Sequence, residues 1–105
     1  MKTVLRASLA VLALALVFST YTFADGAADF KAKCAACHGA TGAGDTTMGK
    51  NLKLKDLGSA EVQKQSDDEL TALIGKGKGK MPAYDGKLSK DQISDVVKFI
   101  RTLKK

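Results

Sequence analysis

The two cysteines and the single histidine of this 105-residue chain stand within five consecutive positions, Cys34-Ala-Ala-Cys37-His38. That clustering limits what the chain can become, because these side chains carry its strongest covalent and metal-binding chemistry. A structural zinc ion takes four protein ligands, and there is no second cysteine pair and no second histidine to complete the set. A thioredoxin-like dithiol belongs beside a βαβ pattern, which the sequence lacks. A plain structural disulfide leaves unexplained why the sole histidine follows the second cysteine directly.

The N-terminus adds a second constraint. Lys2 and Arg6 form a positive start, Ala7 to Phe18 is an apolar run, and Thr22 and Ala24 are small residues at the −3 and −1 positions of a cleavage site. This pattern predicts a secretory signal, residues 1–24, cut after Ala24. The apolar run is short for a membrane span of about 20 residues, so the expectation is export to the periplasm without stable membrane insertion. The remaining segment, 25–105, is one domain of 81 residues. A domain of that size has a marginal core and commonly needs a staple or a cofactor. Its aromatic residues are Phe30, Tyr84 and Phe99, with no Trp. Without Lys2 and Arg6 the segment holds 15 basic and 11 acidic residues, a net charge of +4. The excess suits an acidic protein partner or an anionic surface. Nucleic acid is excluded by export and by the lack of stacking aromatics among the lysines.

The helical signals are three. The first segment is expected over about Ala27 to Ala36, with Phe30 and Cys34 on one face. The second opens on a capping box, Ser66-Asp-Asp-Glu69, carries Leu70, Leu73 and Ile74 at helical spacing, and is expected to end on Gly75. The third opens on Ser89-Lys-Asp-Gln92, with Leu88 and Ile93 as a hydrophobic staple and an apolar stripe through Val96, Val97, Ile100 and Leu103. Arg101, Lys104 and Lys105 stand at its C-terminal end, where the helix dipole favours them. A Gly-rich loop runs from Gly39 to about Asp56, and one short helical turn is expected near Ala60 to Lys64. No run alternates long enough to be a strand, so the class is all-α.

Cys-x-x-Cys-His is the signature of covalent haem attachment. Two thiols three residues apart at the end of a helix lie on nearly one face and can both bond the vinyl groups of one porphyrin. The next residue then brings an imidazole to the iron. The motif, the export signal and the thin core all point to one covalent haem c held by Cys34 and Cys37, with His38 as proximal ligand. At this point the segment 25–105 resembles the small bacterial class I cytochromes c. Gly26 and Phe30, eight and four residues before Cys34, match the family's glycine and aromatic, and Phe99 and Leu103 match its C-terminal helix. The resemblance implies crossed N- and C-terminal helices, Gly26 and Phe30 against Phe99, with further short helices and loops wrapped around the haem.

Two methionines remain once the signal is removed, Met48 and Met81. Met81-Pro82-Ala83-Tyr84 resembles the family's axial-methionine motif, which makes Met81 the expected distal iron ligand and Met48 core filler. Many family members carry a proline about a dozen residues after the histidine, whose carbonyl receives the imidazole Nδ1 proton. Pro82 is the only proline here, so a carbonyl within Thr46 to Asn51 is expected to take that part. In Gly75-Lys-Gly-Lys-Gly-Lys80, Gly77 and Gly79 are expected to let the backbone pass close to the porphyrin. An extended run would place Lys76, Lys78 and Lys80 on one side, where with Lys87 they either form a docking patch or are solvated charges that keep the loop soluble.

With His38 and Met81 both on the iron, no position is left for a substrate. The expected function is a monomeric periplasmic one-electron carrier, not an enzyme, meeting a redox donor and an acceptor transiently. The alternatives are an electron-transfer subunit of a larger periplasmic oxidoreductase and a haem enzyme or gas sensor with a labile distal Met81.

Overall fold

The computed structural model describes residues 23–105. Apart from Phe23 and Ala24 at the start of the first helix, the expected signal segment lies outside those residues. Six helices follow in order: α1 (Phe23–Lys33), α2 (Ala35–His38), α3 (Thr47–Asn51), α4 (Ala60–Gln63), α5 (Asp67–Lys76) and α6 (Lys90–Thr102). Among the described residues there is no strand, only isolated bridges between Lys78 and Met81 and between Asp85 and Leu88.

Both capping boxes form as the spacing predicts. Ser66 Oγ accepts from the Glu69 amide at 3.0 Å and the Glu69 carboxylate accepts from the Ser66 amide, opening α5. Ser89 and Gln92 do the same for α6. Each satisfies two amides that a helix start leaves without intrahelical partners. The C-terminus of α5 is a correction. The helix runs through Gly75, which is buried, and stops at Gly77, whose φ of 73° no β-carbon residue adopts without cost.

The first helix also departs from expectation. It is already formed at Phe23, ends at Lys33, and restarts as α2 after Cys34. The amides of Cys37 and His38 both donate to the Cys34 carbonyl, at 3.2 and 2.9 Å, and this shared acceptor tightens the chain into a separate turn. The short helix α4 lies where Ala60 to Lys64 suggested, capped by Ser59. The glycine-rich loop contains an additional helix, α3, capped by Thr46.

Helices α1 and α6 form the frame, in the most extensive contact between any two elements. A β-carbon on Gly26 would run into the backbone carbonyl of Asp95, so only glycine allows the two helices this approach. Phe30, 1% exposed, meets Phe99 with ring centroids 5.0 Å apart and planes tilted by 46°. Burying a phenylalanine ring stabilises by roughly 2–3 kcal/mol, and a tilted aromatic pair adds about 1 kcal/mol. Ile93, Val96, Val97 and Ile100 of α6 and Leu70 and Ile74 of α5 complete one core with Val62, Tyr84 and Leu88. Asp95 breaks the stripe. It is 5% exposed, with Lys98 Nζ at 3.6 Å from one carboxylate oxygen and no hydrogen bond to the other.

Candidate functional site

Two clefts open against the core, and three residues line both: Cys34, His38 and Met81. The outer one, of about 400 Å³, is completed by Lys33, Cys37, Leu52, Leu54, Lys80, Pro82 and Tyr84. The inner one, of about 430 Å³, is floored by Phe30 and Leu57 and by apolar side chains of α5 and α6. Because the same thiol, imidazole and thioether border both, they are two lobes of one crevice with apolar walls.

Each donor reaches this crevice for a local reason. Cys34 stands at the end of α1 and its amide still donates to the Phe30 carbonyl at 2.8 Å, which holds it on the Phe30 face. Cys37 and His38 form the short α2. Gly39 then turns out of it with φ 84°, and the Gly44 amide donates to the His38 carbonyl at 2.7 Å. Helix α3 buttresses this turn from behind. Thr46 Oγ1 donates to the Cys37 carbonyl at 2.6 Å, and Gly49 packs so closely on the Cys37 and Gly44 carbonyls that a β-carbon would lie 2.6–2.7 Å from them. Met81 arrives on a two-residue hairpin. The amides and carbonyls of Lys78 and Met81 bond reciprocally at 3.2 and 2.9 Å around Gly79-Lys80. Gly79, at φ 59°, holds the first turn position, where a type II′ hairpin takes glycine.

The electrostatics favour neutral donors. Cys34 and Cys37 form no disulfide with each other. Burial, then the charges of Asp29 and Cys37, push the Cys34 thiol up to about 11, so the sulfur is uncharged at neutral pH, as a thioether in its place would be. Burial lowers the His38 pKa, which keeps the imidazole uncharged at pH 7. Its Nδ1 is buried and has no hydrogen-bond partner among the described residues. The expectation of an acceptor carbonyl within Thr46 to Asn51 is therefore not met. The segment folds as α3, in which amides of residues 50, 52, 53 and 54 donate to the carbonyls of Thr46, Met48, Lys50 and Gly49. Two thiols, one imidazole and one thioether around an apolar slot fit a flat tetrapyrrole. Among the described residues no three His, Cys, Asp or Glu side chains converge as a metal-ion site.

Two further expectations are corrected. Met48 is not core filler: it is 50% exposed and lines neither lobe, because α3 turns Gly49 inward and the preceding side chain outward. The lysines do not form one extended row. Lys76 ends α5, Lys78 pairs with Met81, Lys87 Nζ lies 5.8 Å from the Tyr84 ring centroid, and of these four only Lys80 lines the crevice. Lys33 joins it from α1. The wall residues Leu52 and Leu54 were missed, because the alternation in Leu-Lys-Leu is a signal too short to read alone.

The family described as "Cytochrome C oxidase, cbb3-type, subunit III" matches residues 22–100. Cytochrome c6 of Synechococcus sp. (strain ATCC 27167 / PCC 6312) is 37% identical over 105 residues, spanning 91% of each chain. Cytochrome c6 of Leptolyngbya boryana is 41% identical over 71 residues, 68% of this chain and 80% of that one. Among solved structures, "KustC0563 c-type cytochrome" superposes with a TM-score of 0.72 at 30% identity, covering 77% of this chain and 99% of that one. Matched along most of its length in sequence and fold alike, the chain belongs to the c-type cytochromes, as a small class I member.

Proposed function

We infer that this chain is a one-electron carrier built on a single covalent haem c, with Cys34 and Cys37 as the thioether anchors and His38 and Met81 as the axial ligands. The observation that carries this reading is the sharing of Cys34, His38 and Met81 between the two lobes of one apolar crevice. When bound, haem c supplies one-electron iron redox chemistry. The chain's own residues do the rest. Cys34 and Cys37 fix the edge, and neutral His38 offers an uncharged nitrogen. Leu70, Leu73, Ile74 and Val96 exclude water from the inner lobe. The His38 imidazole and the Met81 thioether would both hold the iron, which would leave no coordination position for a substrate. Burial in apolar walls and a sulfur ligand both favour the reduced state.

A reduced c-type optical spectrum, together with a sulfur–iron charge-transfer band in the oxidised protein that disappears in Met81→Ala, is the expected result. A colourless folded protein after expression with haem-attachment machinery overturns the reading. Carbon monoxide binding to the reduced wild type at neutral pH would favour an enzyme or gas sensor instead. The match to an oxidase-subunit family favours a second reading, a subunit working inside a larger oxidoreductase. Alignment with a cytochrome c6 over 91% of each chain favours the free carrier, and a monomeric gel-filtration profile separates the two.

The finer parts of the reading are export to the periplasm with cleavage after Ala24, and docking through the crevice mouth. Among the described residues no helix is long and apolar enough to cross a membrane. Lys33 and Lys80 flank the outer lobe, so an acidic partner surface meets the haem edge there, transiently and with charge serving encounter rate. Mass spectrometry of the exported protein checks the cleavage site. Lys33→Glu with Lys80→Glu should slow oxidation by ferricyanide about ten-fold at low salt while leaving a cationic ruthenium ammine as fast or faster. Equal effects on both reagents argue against the docking role.

A further inference from the structure

Tyr84 ties together three parts of the molecule that border the crevice. Its amide donates to the Ile74 carbonyl at 3.1 Å, which seats it on the end of α5. Its carbonyl accepts from the amides of Lys87 and Leu88, both at 2.9 Å, closing the turn before α6. Its hydroxyl crosses 51 residues of sequence to donate to the Lys33 carbonyl at 3.0 Å. Lys33 is the last residue of α1 and directly precedes Cys34, so the bond ends on the wall that carries the cysteines and His38. The carbonyls of a last helical turn lack intrahelical partners, which makes this one a suitable acceptor. The ring, 8% exposed, belongs to the core and lines the outer lobe beside Met81 and Pro82. Lys87 stands over the ring, with Nζ 5.8 Å from its centroid.

The path from this bond to Met81 is short and stiff. Only Pro82 and Ala83 separate the two residues, and Met81 is itself held by the hairpin with Lys78. We propose that the Tyr84 hydroxyl is a latch that holds the Met81 segment against the Cys34 end of α1, setting how firmly the thioether stays at the iron position. Tyr84 does not touch the reacting atoms; it is a positioning residue acting through Met81. The proposal rests on Met81 being the distal ligand. An opened latch leaves the fold standing, because the ring stays buried and the backbone bonds to Ile74, Lys87 and Leu88 remain. What changes is the ease with which an outside ligand displaces Met81.

The test uses the oxidised holoprotein and imidazole as the competing ligand. Tyr84→Phe removes one hydroxyl and keeps the ring. It should bind imidazole about five-fold tighter than the wild type, the weight of one ordinary hydrogen bond, and lose its sulfur–iron band at correspondingly lower imidazole. Biosynthetic replacement of tyrosine by 3-fluorotyrosine provides a second variant that keeps the donor. Tyr21 lies in the expected signal, so Tyr84 is the one tyrosine of segment 25–105. Fluorination makes the hydroxyl a stronger donor and should weaken imidazole binding. Equal affinities in the wild type, Tyr84→Phe and the fluorinated protein overturn the latch, even if Tyr84→Phe melts earlier. Met81→Ala keeps the two levels apart. If it too binds imidazole like the wild type and the band is absent throughout, the methionine ligation itself has failed; if Met81→Ala differs while the Tyr84 variants do not, only the latch has failed.

Discussion

Gly77 and Gly79 both hold left-handed backbone, at φ 73° and 59°, yet their surroundings differ. A β-carbon at 77 would lie 2.6 Å from the Met81 carbonyl oxygen and 2.9 Å from the Ala83 nitrogen, whereas at 79 nothing lies within 4 Å. Gly79→Ala should therefore cost only the left-handed conformation, ~1–2 kcal/mol. Gly77→Ala should cost roughly 1–3 kcal/mol more through overlap, and it should also disturb Met81; thermal unfolding of the holoprotein checks the order. The glycine-lysine repeat was legible as the approach to Met81. That Gly79 forms the tip of a two-residue hairpin was not, because a repeat of two residue types carries no information on what packs against each. Tyr84 provides a pH test at the same scale. Burial is the leading reason its phenol pKa lies above the ordinary value. An unfolded chain ionises the phenol near pH 10, so the folded state binds the proton more strongly. This contribution is complete below about pH 10 and is lost as the pH rises through the folded value. Urea midpoints of wild type and Tyr84→Phe should converge above pH 10, and a constant gap across that range would count against the assignment.

Among the elements, the helices with complete local signals were readable and the one without them was not. Ser66 with Glu69 and Ser89 with Gln92 are four-residue patterns that fix a helix start through their own hydrogen bonds. Ser66→Ala and Ser89→Ala should each destabilise by about 1 kcal/mol, measurable by denaturant titration. Helix α3 has only the Thr46 cap in sequence. Its position is held by contacts outside itself, the Thr46 hydroxyl on the Cys37 carbonyl and Gly49 against the Cys37 and Gly44 carbonyls. The contact between α1 and α6 was legible from Gly26, Phe30 and Phe99, and Gly26→Ala should force the two helices apart at a cost of roughly 3 kcal/mol or more. Asp95 inside that contact was not legible, because its spacing on α6 reads as polar surface.

At the scale of the whole molecule, one arginine ties α6 to the segment between α4 and α5. Arg101 of α6 donates to the Gln63 carbonyl at 2.9 Å, to the Gln65 carbonyl at 2.5 Å and to the Asp67 carboxylate at 3.0 Å. Gln63 in turn donates to the Leu57 and Ile100 carbonyls at 2.8 and 2.9 Å. Sequence placed Arg101 at a helix end for the dipole; only the tertiary arrangement gives it these partners. Arg101→Ala should cost about 2–3 kcal/mol, in the range of charge-assisted bonds, and loosen the inner lobe. Cys37→Ser tests the marginal core from another direction by removing one proposed haem anchor. It should lower the unfolding temperature well below that of the wild type, since a domain this small has little else to close the gap between α1, α5 and Met81.

What the sequence determined by itself is the chemistry and the frame. Cys34, Cys37 and His38 are local in the chain, Met81-Pro82 is a local motif, and the capped amphipathic helices state their own boundaries through side chains a few residues apart. What only the tertiary structure decided is how the walls meet: Tyr84 on the Lys33 carbonyl, Gly49 on the cysteine turn, Met48 turned outward and Lys80 at the crevice mouth. Those outcomes depend on contacts between segments tens of residues apart or on a side chain being displaced by its neighbour. Such contacts leave no periodic trace along the chain, and the same residues in a different packing would read identically.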